Sequence, residues 1–311
     1  MNKVSLFLDS GAFSAFSKGV DININKYISF IKDNEDYLEV YANLDVIGDA
    51  EATLKNQRIM EKKGLKPLPC FHYGDDIKYL KLYMQEHDYI ALGGMVPIST
   101  KNLILWLDEI FSYICDDKGM PKVKVHGFGL TSFDLMFRYP WYSIDSTSWV
   151  MTGRFGSVLI PRFKNREYIY NEPPWKVTVS NQSPDVREQG KHISTFAPME
   201  KDIIIDYLKS KGIKLGKSEY KKEDKKNYKL KKGERWAGDI ELDLQQGEDY
   251  KQQQGDSLVE TIIEAGVCND YRLRDEVNIV YYLDLEKHFP KWPWAFKLNQ
   301  KESSKGFGLM K

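Results

Sequence analysis

The chain has 311 residues, 42% hydrophobic and 29% charged, which fits a globular protein and excludes a low-complexity or fibrous one. Lys+Arg and Asp+Glu balance at 45 each, so net charge supplies no global attraction for nucleic acid and any basic surface has to be local. The three cysteines show no CxxC spacing and fit a reducing cytosol better than a disulfide framework. No apolar run approaches membrane-spanning length and no signal-peptide core opens the chain, so a cytoplasmic protein without a membrane partner is expected.

In chain order, an apolar run at 4–8 ends in Asp9-Ser10-Gly11. It reads as a buried strand that delivers a carboxylate at its C-terminal end before a tight turn. Residues 25–31 carry apolar positions at helical spacing, and 38–45 reads as a second strand ending in Asp45. Asp49 caps a helix over 49–63 that Gly64 closes. A third strand, 66–71, runs into His72-Tyr73-Gly74, and 76–85 is helical. A fourth strand, 89–92, ends in Gly93-Gly94 and precedes an amphipathic helix over 100–115. A fifth, 123–125, runs into His126-Gly127; a short helix at 132–137 follows; a sixth strand, 141–144, ends in Asp145.

Beyond that point the rhythm weakens. Residues 158–160 and 176–179 read as strands, 199–211 and 257–265 as helices, and 278–285 as a late strand or a buried helix. The stretch 209–235 is basic and polar, 245–254 is a polar loop, and 288–296, rich in Trp and Pro, is an irregular plug.

Alternating strand and helix implies parallel pairing through helical crossovers, which leaves a doubly wound open sheet or a (β/α)8 barrel. No GxGxxG follows the first strand. The polar residues Asp9, Asp45, His72, Gly93, Gly94, His126 and Asp145 all fall just after successive apolar runs. A barrel would gather such ends on one face, whereas an open sheet would spread them along an edge. An α/β, TIM-like barrel with a C-terminal elaboration is therefore expected, its main part in 1–165 and the rest of a single domain in 166–311.

Two carboxylates at one mouth suit glycosidic chemistry, with one attacking or stabilising the anomeric carbon and the other moving a proton. Each can equally be a turn residue. Asp45, acceptor-only when ionised, suits an edge with two donors such as guanine's, or is satisfied by backbone amides. Gly93-Gly94 permits close approach to a flat ligand or makes an ordinary turn. His72 and His126 position substrate or serve the core, and Tyr73 or Phe13 can stack on a base. Arg154, Lys221, Lys222, Lys225 and Lys226 can hold a phosphodiester backbone or form a solvated face. A zinc site from Cys70, His72 and His126 lacks a fourth ligand at known spacing, so no metal or other cofactor is expected.

The segment LDSGAFSAF resembles the DSGGFQ signature of the tRNA-guanine transglycosylase family, and further segments resemble that family's landmarks in the same order. These are ANLDVIGD, FHYGDD, YIALGGMV, VKVHGFGLTSFDLM and YSIDSTSWVMTGRFG, so the resemblance covers about residues 4–160. It implies that Asp145 is a nucleophile and Asp9 a general acid/base. Asp45, His72, Gly93 and Gly94 would form the base pocket, with Ser10, Gly11, Phe13, Tyr73 and His126 around it. The implied reaction is exchange of guanine for a 7-deazaguanine through a covalent glycosyl-enzyme.

The family's CxCxxC…H zinc module has no counterpart in this chain, its second motif glycine is Ala12, and its motif glutamine is Ser14. The motif stands so early that the barrel strand usually preceding it is expected to be missing or supplied from the C-terminal part. These differences, with NIVYYLDLEKHFPKWPWAF near the end, resemble the phage- and genomic-island-encoded branch that inserts bases such as preQ0 into DNA. The implied partners are DNA, free guanine and 7-deazaguanine, and accessory proteins of the modification pathway. A tRNA-type enzyme without the zinc module, a nucleobase N-glycosidase and a non-enzymatic DNA-binding barrel are the alternatives.

Overall fold

The structure is a computed structural model that describes residues 6–130, 132–183, 190–237 and 256–297. The first residues of the 4–8 run, the whole of 245–254 and Thr131 lie outside the described residues. The chain divides into two compact units, residues 1–146 with 290–311, and residues 147–289.

The first unit is mixed α/β with parallel strands. Its strands are β1 (Leu6–Leu8), β2 (Leu38–Tyr41), β3 (Cys70–His72), β4 (Tyr89–Gly93), β5 (Lys124–Gly127) and β6 (Ser143–Ile144). Between them lie α1 (Ala12–Lys18), α2 (Ile24–Asp33), α3 (Ala50–Lys62), α4 (Ile77–Glu86), α5 (Thr100–Ile114) and α6 (Phe133–Arg138). β1 pairs with β2, and β3 to β6 form one parallel ladder in chain order. An isolated parallel bridge, Ala42 to Leu68, joins the two groups, with Leu68 N–H donating to Tyr41 O at 2.8 Å. The order therefore runs β1 to β6 without a reversal.

The ladder is also curled. The ring of Phe7 on β1 stacks on that of His126 on β5, centroids 4.5 Å apart, and meets Phe128 at 5.9 Å. Strands spaced about 4.8 Å apart in a flat sheet would hold β1 and β5 nearly 20 Å apart. The pleat then sorts side chains by face. Cys70 and His72 on β3, Ala91 and Gly93 on β4 and His126 on β5 share one face, as their register partners require. Leu68, Cys70 and Ala91 are buried there with Val40, Tyr89 and Phe128 against them.

Helices cover the first unit as their patterns dictate. On α5, Leu103, Leu107, Ile110, Phe111 and Ile114 fall on one stripe and are buried, and the Ser99 hydroxyl caps the start by accepting from Asn102 N–H. Residues 291–297 have no regular structure, but Phe296 is buried against Phe111 and Tyr139, in keeping with an irregular plug.

The second unit contains α7 (Ser148–Arg154), β7 (Ser157–Ile160), β8 (Arg162–Lys164), β9 (Glu167–Ile169), β10 (Trp175–Thr178), α8 (Pro198–Ser210), β11 (Lys217–Asp224), β12 (Glu234–Trp236), β13 (Asp256–Glu264) and α9 (Tyr271–His288). Its strand pairs, β7 with β10, β8 with β9, and β11-β13-β12, are antiparallel. Val158, Ile160, Val177, Ile204, Tyr207 and Val277 centre its core.

One expectation fails here. Residues 257–265, expected as a helix, are strand β13. Val259, Thr261, Ile262 and Ile263 are β-branched and lose side-chain freedom in a helix, and pairing on both sides with β11 and β12 decides for the strand. The ambiguous 278–285 lies within helix α9. The basic stretch 209–235 is in part strand, in β11 and β12.

Candidate functional site

The C-terminal ends of β1, β2, β3, β4 and β6 carry the residues that the sequence singles out. After β1, Gly11 takes a φ of 74°, which favours glycine, and opens α1. The turn leaves Asp9 exposed, its Oδ1 accepting weakly from Gly11 N–H at 3.3 Å. Ser10 is buried and reaches across to β2's end, its hydroxyl donating to Asp45 Oδ1 at 2.9 Å. Phe13 projects from α1 and is exposed.

Polar side chains of α3 hold the backbone around Asp45. Val46 N–H donates to Thr53 Oγ1 at 2.8 Å, Asn56 Nδ2 donates to Leu44 O at 2.8 Å, and Asn43 Nδ2 donates to Thr53 O at 2.9 Å. Asn43 and Thr53 are fully buried, so their bonds are costly to lose. The loop after β2 is thereby a fixed platform for its carboxylate.

Asp45 Oδ2 meets His72 Nε2 at 2.8 Å. His72 is buried, and Cys70 Sγ lies 3.5 Å from the same nitrogen. Asp75 closes the other side, accepting from His72 N–H at 2.9 Å with Oδ2 at 3.7 Å from Nδ1. Burial alone would lower the His72 pKa. Cys70 and the hydrogen bonds to Asp45 and Asp75 outweigh it, and the net direction is strongly upward. Burial pushes the Cys70 thiol up, and the neighbouring His72 opposes that.

Gly93 faces this group. A Cβ there would stand 2.9 Å from both Cys70 Sγ and His72 Cδ2. Gly94, with a φ of 69°, brings the chain against Tyr73, whose N–H donates to Gly93 O at 3.0 Å. The space that the glycines leave is taken by β3's side chains. Tyr73 is part-exposed, its ring 5.2 Å from that of Trp106.

On β5, His126 is 2% exposed, and burial pushes its pKa down to about 4, so the ring is neutral at pH 7. Nδ1 shares a 2.7 Å hydrogen bond with Ser143 Oγ, which in turn meets Tyr89 OH at 2.6 Å. Nε2 has no hydrogen-bond partner and faces Asp145 Oδ1 at 3.8 Å. Asp145 is half-exposed, and Gly129 N–H donates to its Oδ1 at 2.7 Å. Desolvation raises the Asp145 pKa, the Gly129 bond opposes that, and the Asp9 charge raises it further. The two aspartates therefore feel each other across the curled sheet.

The proposed zinc trio divides. Cys70 and His72 are neighbours, but His126 is engaged with Ser143, and the third donor beside them is Asp45. In the second unit, Arg154 is exposed at the end of α7. Lys221 is held by Glu234 at 2.9 Å and Glu223 at 3.3 Å, and by the Tyr228 hydroxyl. Lys225 lies 5.9 Å from the Trp236 ring, and Lys222 and Lys226 are exposed. Lys221 is thus engaged by carboxylates of β11 and β12.

Residues that the sequence reading passed over are Phe7, Asp75, Gly129 and Ser143. Ser143 stands two residues before Asp145, on the same strand face by period 2. Gly129 sits in the HGFG run that follows a strand. Phe7 carried no local signal beyond apolarity.

Among the described residues, no helix is long and apolar enough to cross a membrane. Compared with family models, curated proteins and solved structures, the chain matches none.

Proposed function

We propose that the first unit is an irregular, TIM-like βα barrel that exchanges guanine in DNA for a 7-deazaguanine base. The single observation that carries this reading is that Asp9 and Asp145, distant in sequence, follow β1 and β6 at one end of a parallel sheet curled enough to stack Phe7 on His126. A carboxylate pair with one member partly desolvated fits a nucleophile and a proton carrier on a glycosidic bond.

In this reading Asp145 attacks C1′ of the target nucleotide. The C1′–N9 bond breaks as the C1′–O bond to Asp145 forms. The departing guanine takes up at N9 a proton that Asp9 gives as general acid, which leaves Asp9 as the carboxylate. The incoming base gives its N9 proton to Asp9 as it displaces Asp145, which restores the carboxylate. Gly129 N–H fixes one oxygen of the nucleophile, and the neutral His126 beside it adds no positive charge that would blunt it. Asp45, with lone pairs to spare beyond its bonds to Ser10 and His72, accepts from the N1–H and amino edge of the base. The target base leaves the helical stack to arrive there.

The DNA substrate rests on the sequence resemblance, and the site chemistry alone is equally that of exchange in tRNA. Incubation of labelled guanine or preQ0 with duplex DNA and, separately, with tRNA tests the reading. Label entering DNA supports it. Label entering only tRNA redirects the substrate, base release without incorporation points to an N-glycosidase, and binding without turnover removes the enzyme reading.

A further inference from the structure

Where the ends of β2 and β3 meet, a carboxylate oxygen, a thiol sulfur and an imidazole nitrogen lie within 4.8 Å of one another. We propose that Asp45, Cys70 and His72 form a binding site for zinc or a zinc-like divalent ion, with a further coordination position for water or a ligand heteroatom. The proposal stands on this geometry and does not depend on base exchange.

The donor set is that of a tetrahedral borderline-soft ion. Zinc bonds of about 2.0–2.1 Å to nitrogen and 2.3 Å to sulfur place those two donors about 3.5 Å apart in a tetrahedron. The observed separation of His72 Nε2 and Cys70 Sγ is 3.5 Å. The Nε2 to Asp45 Oδ2 separation of 2.8 Å is a hydrogen-bond length. It would widen by about 0.5 Å when an ion replaces the shared proton.

Two further observations point the same way. Metal-bound histidines commonly present their second nitrogen to a carboxylate, which fixes the ring. Asp75 stands in that place, 3.7 Å from His72 Nδ1 and anchored on His72 N–H. Ser10 does the same for Asp45. Gly93 supplies the room, since a Cβ there would lie 2.9 Å from the sulfur and 3.2 Å from Nε2. Cys70 and His72 are both buried, so the ion would be held away from bulk water on the protein side.

The rival account is a hydrogen-bonded trio with no affinity for metal. Titration of the chelator-treated 311-residue chain with Co(II) separates the two. The expected result is one Co(II) per chain, with sulfur-to-cobalt charge-transfer absorption and the intense visible bands of a four-coordinate ion, displaced by equimolar Zn(II). Cys70→Ser removes the charge-transfer band, and Cys115→Ser and Cys268→Ser keep it. Asp75→Asn keeps the band and weakens affinity by roughly 10- to 100-fold. Circular dichroism checks that each variant folds, and Asp75→Asn carries the test should Cys70→Ser not fold. The proposal is overturned if the wild-type chain gives no charge-transfer band, if the band survives in folded Cys70→Ser, or if Asp75→Asn binds like wild type. Base-exchange activity enters none of these readouts, so failure of either idea leaves the other standing.

Discussion

Phe7 and His126 lie face to face at 4.5 Å and 25° although their strands, β1 and β5, stand far apart in the ladder order. The stack records the curl that brings the end of β1 round to the end of β6, and with it Asp9 to Asp145. It also shields the His126 ring from water. Phe7→Ala removes that shield, so the His126 pKa should climb from about 4 toward the ordinary value near 6.5. Stability should fall by roughly 2 kcal/mol, less than for a fully buried Phe because Phe7 is part-exposed. NMR titration of the His126 ring protons and urea unfolding measure the two effects.

His126 makes stability depend on pH. Folded, the ring stays neutral down to about pH 4, while the unfolded chain takes up the proton near 6.5. The unfolded state therefore binds more protons across that window, and stability rises with pH there. The contribution is full above about pH 6.5 and is lost as pH falls to 4, on the order of 3 kcal/mol. His126→Asn, which keeps a partner for Ser143, should flatten the difference between urea midpoints at neutral and acid pH. An unchanged difference would show that the ring is accessible to protons in the fold.

If the chain exchanges bases as proposed, Asp145→Asn should abolish a denaturation-resistant protein–DNA adduct and reduce exchange by about 10^4-fold or more, since removal of a nucleophile leaves little else. Asp9→Asn should slow exchange by roughly 10^2- to 10^4-fold, the range of a proton-transfer group. Persistence of the adduct in Asp145→Asn removes that residue as nucleophile. Because burial and the Asp9 charge hold the Asp145 carboxyl above the ordinary carboxylate range, the acid limb of the rate profile should shift upward in pH. Asp9→Asn should move that limb back down.

Gly93→Ala should destabilise the first unit by about 1–3 kcal/mol through overpacking. The new methyl would stand 2.9 Å from Cys70 Sγ and His72 Cδ2, both buried and unable to move aside cheaply. A thermal melt reads this directly, and a melting temperature equal to wild type would mean that the strand end relaxes without cost.

Arg235→Ala should cost about 2–3 kcal/mol in the second unit. Its guanidinium reaches the fully buried Glu260 carboxylate at 2.6 Å, where Tyr220 OH and Gln182 Nε2 also donate. Removing the cation leaves a buried charge with only neutral partners. The partial exposure of Arg235 keeps the value below that of a sealed pair. Urea unfolding monitored by Trp fluorescence gives the difference.

The rhythm of strand and helix through residue 145 was legible in the sequence, because apolar runs of strand length alternate with stripes at helical spacing. So were the carboxylates and histidines at the strand ends, because a polar residue that closes an apolar run stands out locally. The second half was read less well. Residues 257–265 carry β-branched residues in a pattern that either period accommodates, and pairing with β11 and β12 made them a strand.

The sequence by itself determined that Asp9, Asp45, His72 and Asp145 each stand at or just beyond the end of an apolar run, since that depends only on neighbours along the chain. Only the tertiary structure decided which of them meet. The curl marked by Phe7 and His126 couples Asp9 to Asp145, and the bridge between β2 and β3 sets Asp45 against His72 and Cys70. Both contacts join strands through side chains on one face of the sheet. Such pairings follow from register and curvature, which no local stretch of sequence encodes.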